Sequence, residues 1–193
     1  VFQNIEEVLE VDYRHPIPTG IDGIDNLLNG GLAKGELGVI LAPTGVGKTT
    51  ILTRFANTAF NMGYNVLQIF FEDNPKIIQR KHFTCWTGIP PQELSDHKEK
   101  VLAKASEMQK QEGKLILKKL ASDEFTIPQI KNQIRKITSE GVKLDIVVLD
   151  YIDCVIPDKS YNDEWKGEGS VMRKFEGMCH ELNLVGWTAA QGN

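Results

Sequence analysis

Apolar and polar positions along this chain alternate between two patterns. Short runs dominated by apolar residues occur at 36–42 (ELGVILA), 65–71 (NVLQIFF), 114–120 (KLILKKL), 144–150 (LDIVVLD) and 184–190 (LVGWTAA). Their length and bounding polar residues predict strands, with 36–42 and 144–150 read as buried ones. Between them the apolar positions recur at helical spacing. Ile51, Leu52, Phe55, Ala56 and Ala59 form one stripe that begins near Lys48 and stops at Gly63. Ile127, Ile130, Ile134 and Ile137 form another, opened by Thr126 and closed by Gly141. A third helix is expected to open at Ser170, with Val171, Met172, Phe175, Met178, Cys179 and Leu182 on its apolar face.

The remaining helical signals are shorter. Thr19 is read as the cap of a helix carrying Ile21, Ile24, Leu27 and Leu28, which Gly30-Gly31 ends. Asp73-Asn74-Pro75 is a start signal, with Pro75 in the first turn and Asp73 as the cap. A longer helical region is expected over 94–111. Strands alternating with helices predict an α/β fold with a mostly parallel sheet and helices on both faces. The first two strands and the helix between them read as a βαβ-type unit. Residues 1–17, acidic and ending in RHPIP, read as a linker or arm, and 18–193 as one domain. A sheet of this kind normally continues past a strand at 184–190, so the domain is expected to be partial.

Composition narrows the classes. The 193 residues are 41% hydrophobic and 25% charged, which suits a globular domain with a real core. No apolar run approaches the roughly 20 residues of a membrane span, and the N-terminus lacks the basic and apolar regions of a signal peptide. Cys85, Cys154 and Cys179 are far apart, which suits reduced thiols in a cytoplasm. The net charge of −4 argues against a dedicated, strongly basic DNA-binding module, though not against nucleic-acid contacts made by a few loops.

The strand at 36–42 leads straight into Ala42, Pro43, Thr44, Gly45, Val46, Gly47, Lys48, Thr49 and Thr50. Glycines let backbone N–H groups approach a phosphate, and the helix that follows points its positive end at the same anion. Lys48 can reach the β- and γ-phosphates and the Thr49 hydroxyl can hold Mg²⁺. Ala42 takes the place of the first glycine of the GxxxxGK[ST] pattern. As the last residue of a strand, it needs no left-handed backbone. Two acids complete the set. Asp150 closes DIVVLD and is a second candidate for Mg²⁺. Glu72 follows QIFF at a strand's carboxyl end, where it can orient and deprotonate an attacking water. Gln191, after the last strand, can sense the γ-phosphate.

Taken in order, IPTGIDGIDNLLNGGLAKGEL, APTGVGKTT, FFED, VVLDYID and HELNLVGWTAAQGN resemble the RecA-like ATPase core of DnaB-type replicative helicases, particularly phage ones, over 16–193. The resemblance implies a P-loop NTPase using ATP or another nucleoside triphosphate with Mg²⁺. In it Lys48 is the P-loop lysine, Thr49 the magnesium hydroxyl and Glu72 the catalytic glutamate. Asp150 is the second acidic motif, and Gln191 couples the nucleotide to DNA. It further implies a homohexameric ring on single-stranded DNA, a primase or loader as partner, no membrane, and a cytoplasmic place in a bacterium or an infected host cell. An arginine finger is expected beyond residue 193. The segment 157–169 (PDKSYNDEWKGEG) lies where this family faces its channel, with Lys159 and Lys166 as candidate phosphate contacts and Tyr161 or Trp165 as stacking platforms. Asp153 stands where many members carry glutamine. A RecA- or RadA-like recombinase and a KaiC-like nucleotide-dependent regulator share the core and remain alternatives.

Overall fold

The computed structural model describes residues 5–9, 14–161 and 163–192. Residues 1–4 and 10–13 of the expected arm over 1–17, together with Asn162 and Asn193, lie outside the described residues. The helices are α1 (Ile5–Val8), α2 (Asp22–Leu27), α3 (Lys48–Asn61), α4 (Pro75–Thr87), α5 (Lys98–Met108), α6 (Ile127–Ser139) and α7 (Glu164–Leu182). The strands are β1 (Leu37–Ala42), β2 (Val66–Phe70), β3 (Leu115–Lys119), β4 (Ile146–Asp150) and β5 (Val185–Gln191). They form one sheet in the order β1-β5-β4-β2-β3, with every neighbouring pair parallel.

Residues on the central strands alternate between the two faces, as the period of two in a strand requires. Leu67, Ile69, Val147 and Leu149 join α6 and α7 in one apolar cluster, through Ile130, Ile134, Phe175 and Met178. Val66, Ile146, Val148 and Trp187 face the other way, onto Leu52, Phe55, Ala56 and Ala59 of α3. The rings of Phe55 and Trp187 meet at 4.5 Å. Trp187 also explains Gly38 in β1, because a Cβ there would lie 2.3 Å from its ring. Both faces of β2 and β4 are covered, so all ten of their residues are buried and their sequences are nearly continuous in apolar side chains.

The structure corrects several expectations. Among the described residues the 36–42 strand stands at one end of the sheet, paired with β5, and Val39 and Leu41 are at 42% and 70% exposure rather than buried. An apolar composition does not say where in a sheet a strand sits. β1, α3 and β2 do form a parallel crossover unit, with β5 and β4 lying between its two strands. Thr19 is no helix cap: α2 starts at Asp22 after Ile21, and the Thr19 hydroxyl donates to Asp25 at 2.7 Å. The cap of α4 is Asn74, whose side chain accepts from the Lys76 N–H at 2.9 Å, because the capping residue must directly precede Pro75 at the first helical position. The 94–111 region begins as helix only at Lys98. Ser170 does not open a helix either. α7 starts six residues earlier, through Gly167 and Gly169, and Ser170 is buried within it.

Near the N-terminus, Arg14 binds Glu36 (2.6 Å), and Ile17 bridges to Leu32. Among the described residues, no helix is long and apolar enough to cross a membrane.

Candidate functional site

The parallel arrangement puts the carboxyl ends of β1, β4 and β2 at one edge of the sheet. Ala42 closes β1 in register with Gln191 of β5, and Phe70 closes β2 in register with Asp150 of β4. Ala42 thus keeps strand backbone, which alanine accepts without strain. The turn that follows does need glycine: Gly45 and Gly47 have φ of +83° and +98°. Gly47 directly precedes α3, so the first N–H groups of that 14-residue helix face the loop.

Lys48 is folded back over its own loop. Its ammonium donates to the carbonyl of Ala42 at 2.7 Å and to that of Pro43 at 3.3 Å, and it sits 5.5 Å from the centre of the Tyr151 ring. Thr49 donates its hydroxyl to the Asp150 carboxylate at 3.1 Å, across 101 residues of sequence. Asp150 is buried, and burial pushes its pKa up to about 6; Glu72 and Asp73 nearby push the same way, while the Thr49 hydroxyl and Lys81 pull it down. A desolvated carboxylate paired with a hydroxyl is a hard-oxygen donor set, which fits Mg²⁺. Glu72 projects from just beyond β2, and its carboxylate accepts the Tyr151 hydroxyl at 3.3 Å. Burial raises the Tyr151 pKa well above its ordinary value, with Cys154 and Glu72 adding to the shift. The Asp150–Tyr151 peptide bond is cis. Lys48, Thr49, Glu72, Asp73, Lys81 and Tyr151 line a polar cavity of about 260 Å³.

Three residues chosen from the sequence, Lys48, Thr49 and Glu72, therefore line this cavity, and a fourth, Asp150, is bonded to Thr49 beside it. Others lie apart. Gln191 is exposed at the end of β5, and its backbone N–H donates to Asp153 at 2.8 Å. It borders a second cavity, of about 590 Å³, together with Leu41, Lys159, Tyr161 and Trp165. Lys159 is on that wall, while Lys166 pairs with Asp163 at 2.5 Å and lies 5.3 Å from the centre of the Trp165 ring. Trp165 is 69% exposed, and the Tyr161 hydroxyl donates to Ser170 at 2.7 Å. The second half of 157–169 is thus the first turns of α7 rather than a loop.

The sequence reading missed Lys81 and Lys119. Lys81 pairs with Asp73 at 2.8 Å, and Lys119 donates to the backbone carbonyls of both Glu72 and Asp73. No local spacing marks Lys81, because Asp73 lies outside α4, just before the cap Asn74, and eight residues is not a pairing distance along a helix. Nothing local marks Lys119, whose place depends on strand pairing.

A parallel sheet with a phosphate loop after β1, an acid at the end of β4 and a second acid beyond β2 is the architecture of a P-loop nucleoside triphosphatase. Within that class the chain belongs to the DnaB-like helicase C-terminal domain family, whose sequence model matches residues 16–191. It is 25% identical to the replicative DNA helicase DnaB of Helicobacter pylori (strain ATCC 700392 / 26695) over 201 residues, which cover 95% of this chain and 40% of that protein. A shorter match, 36% identical over 79 residues, links 41% of the chain to 16% of the DNA repair protein RadA of Mycobacterium tuberculosis. Among solved structures a DnaB-like replicative helicase, studied with its interactions with primase, superposes with a TM-score of 0.77 at 17% identity, over 91% of this chain and 43% of that one. A solved ATPase domain also gives 0.77, at 20% identity, over 96% and 67%. The fold is accordingly RecA-like, and the chain spans about two fifths of the length of the DnaB protein it matches.

Proposed function

We propose that this chain is the nucleotide-hydrolysing motor of a replicative DNA helicase. The observation that carries the reading is the meeting of Lys48, Thr49 and Glu72 around one polar cavity, with Asp150 bonded to the Thr49 hydroxyl, in a chain whose family match runs from 16 to 191. The phosphates of ATP lie along the Ala42 to Thr50 loop and the start of α3. Lys48 exchanges the carbonyls of Ala42 and Pro43 for the β- and γ-phosphate oxygens. Thr49 and Asp150 hold Mg²⁺, which, when bound, offsets charge on the phosphates. Glu72 accepts a proton from the water that attacks the γ-phosphorus, as the bond from that phosphorus to the β–γ bridging oxygen breaks. Gln191, fastened through its N–H to Asp153, stands between the phosphate loop and the cavity under 157–169, which suits it to couple nucleotide state to DNA.

On this reading single-stranded DNA passes the surface around Lys159, Lys166 and Trp165, six copies form a ring, and a primase or loader docks on the whole protein. The work is done in the cytoplasm of a bacterium or of an infected cell. Residues 18–193 form the ATPase domain, and 1–17 an arm whose end is fastened at Arg14 and Ile17. The RadA-like alternative is favoured only by the 79-residue match. The test is ATP hydrolysis by the native protein with and without single-stranded DNA. Stimulation by DNA is expected, and a rate indifferent to DNA would point instead to a nucleotide-dependent regulator.

A further inference from the structure

Glu72 hangs from backbone that has left the sheet. The last ladder bonds beside it run from the Leu120 N–H to the Phe70 carbonyl at 3.0 Å, and from the Phe71 N–H to the Asp150 carbonyl at 3.3 Å. Beyond them, among the described residues, the carbonyls of Glu72 and Asp73 receive nothing from a neighbouring strand. Both point at a single ammonium, that of Lys119, which donates to each at 2.8 Å. Lys119 ends edge strand β3 directly opposite Phe70, so its side chain rises on the same face as the Phe70 ring, 5.9 Å from its centre. Two of the three ammonium protons are committed to this one turn of chain.

We propose that Lys119 is the positioning residue for Glu72; this rests on the reading of Glu72 as the group that activates water. Two carbonyls held by one cation fix the peptide plane that follows Glu72 and the plane after it. With the Tyr151 hydroxyl on the carboxylate at 3.3 Å, Glu72 is held at its backbone and at its tip. A free turn at this place would let the carboxylate wander from the line of attack, and a misplacement of about 1 Å at a reacting group can lower a rate roughly a hundredfold. Lys119 is exposed and belongs to neither apolar cluster, so its ammonium contributes to geometry and little to packing. Nucleotide affinity comes from a different segment, the phosphate loop, which Lys119 does not touch.

The experiment compares Lys119→Met and Lys119→Arg in the native protein, with Glu72→Gln alongside. The expected result for Lys119→Met is a kcat lower by roughly tenfold, a fraction of the full misplacement penalty, with unchanged KM and nucleotide Kd and an unchanged melting temperature. Lys119→Arg keeps a cation with several donors and recovers most of the rate. Full kcat in Lys119→Met beside an inactive Glu72→Gln overturns the positioning role and leaves Glu72 in place. A loss in Lys119→Met that comes with a lower melting temperature and no recovery in Lys119→Arg overturns it as well, in favour of plain structure. Turnover that survives in Glu72→Gln removes the reading of Glu72, and the role of Lys119 with it.

Discussion

His82 is buried between the P-loop helix and β2, and its titration gives a measurable handle on this part of the core. The imidazole is 1% exposed. Its Nδ1 lies 2.8 Å from the Asn57 side-chain nitrogen, which also donates to the Thr53 carbonyl at 2.9 Å. Its Nε2 lies 2.9 Å from the Gln68 side-chain oxygen. An amide nitrogen can only donate, so Nδ1 accepts and Nε2–H donates, and the ring is neutral. Burial drives the His82 pKa down to about 4 from 6.5. The unfolded chain therefore takes a proton as pH falls below about 6.5, while the folded chain resists until about 4. Stability is lost across that window and levels off below it. The interval, at 1.36 kcal/mol per pH unit, amounts to about 3 kcal/mol. Asp150 works in the opposite direction, because its raised pKa makes its charged form costly and that cost fades as pH drops through about 6. The two opposed terms flatten the profile of the parent protein, so the informative quantity is a difference. Urea unfolding of the parent and of His82→Gln, which can keep both side-chain bonds, is to be followed from about pH 7 to about pH 4. The stability of the parent relative to the variant is expected to fall by about 3 kcal/mol over that range. A difference constant to within about 0.5 kcal/mol would refute the argument that His82 is held neutral in the fold.

Other outcomes follow from the same geometry. Lys48→Ala is expected to abolish nucleotide binding or hydrolysis, read by titration with a fluorescent ATP analogue. Phe175→Ala, at the fully buried centre of the α6–α7 face, is expected to lower the unfolding free energy by about 3–5 kcal/mol in denaturant melts.

The central strands were legible because burial on both faces writes itself as a nearly continuous apolar run, as in β2 and β4. The phosphate loop was legible because its glycines, lysine and threonine are consecutive. Features that depend on three-dimensional neighbours were not. The start of α7 was hidden by Gly167 and Gly169, which look like a loop in sequence. Gly167 instead lies beside Pro157 and Tyr161, where an added Cβ would come within 3.4 Å of the proline ring. Glu72 and Asp150 were found as strand-end acids, whereas Lys119 reaches Glu72 only because β3 pairs with β2 in a register that no local pattern announces.

On the proposed function, Lys48, Thr49, Glu72 and Asp150 together drive DNA unwinding by hydrolysis. Its most direct test is strand separation of a forked DNA duplex by the native protein with ATP and Mg²⁺, set against the Glu72→Gln variant. Unwinding by the parent is expected, with a variant that binds nucleotide as tightly yet neither hydrolyses it nor separates strands. Hydrolysis by the parent without unwinding, or unwinding by Glu72→Gln at the parental rate, would contradict it.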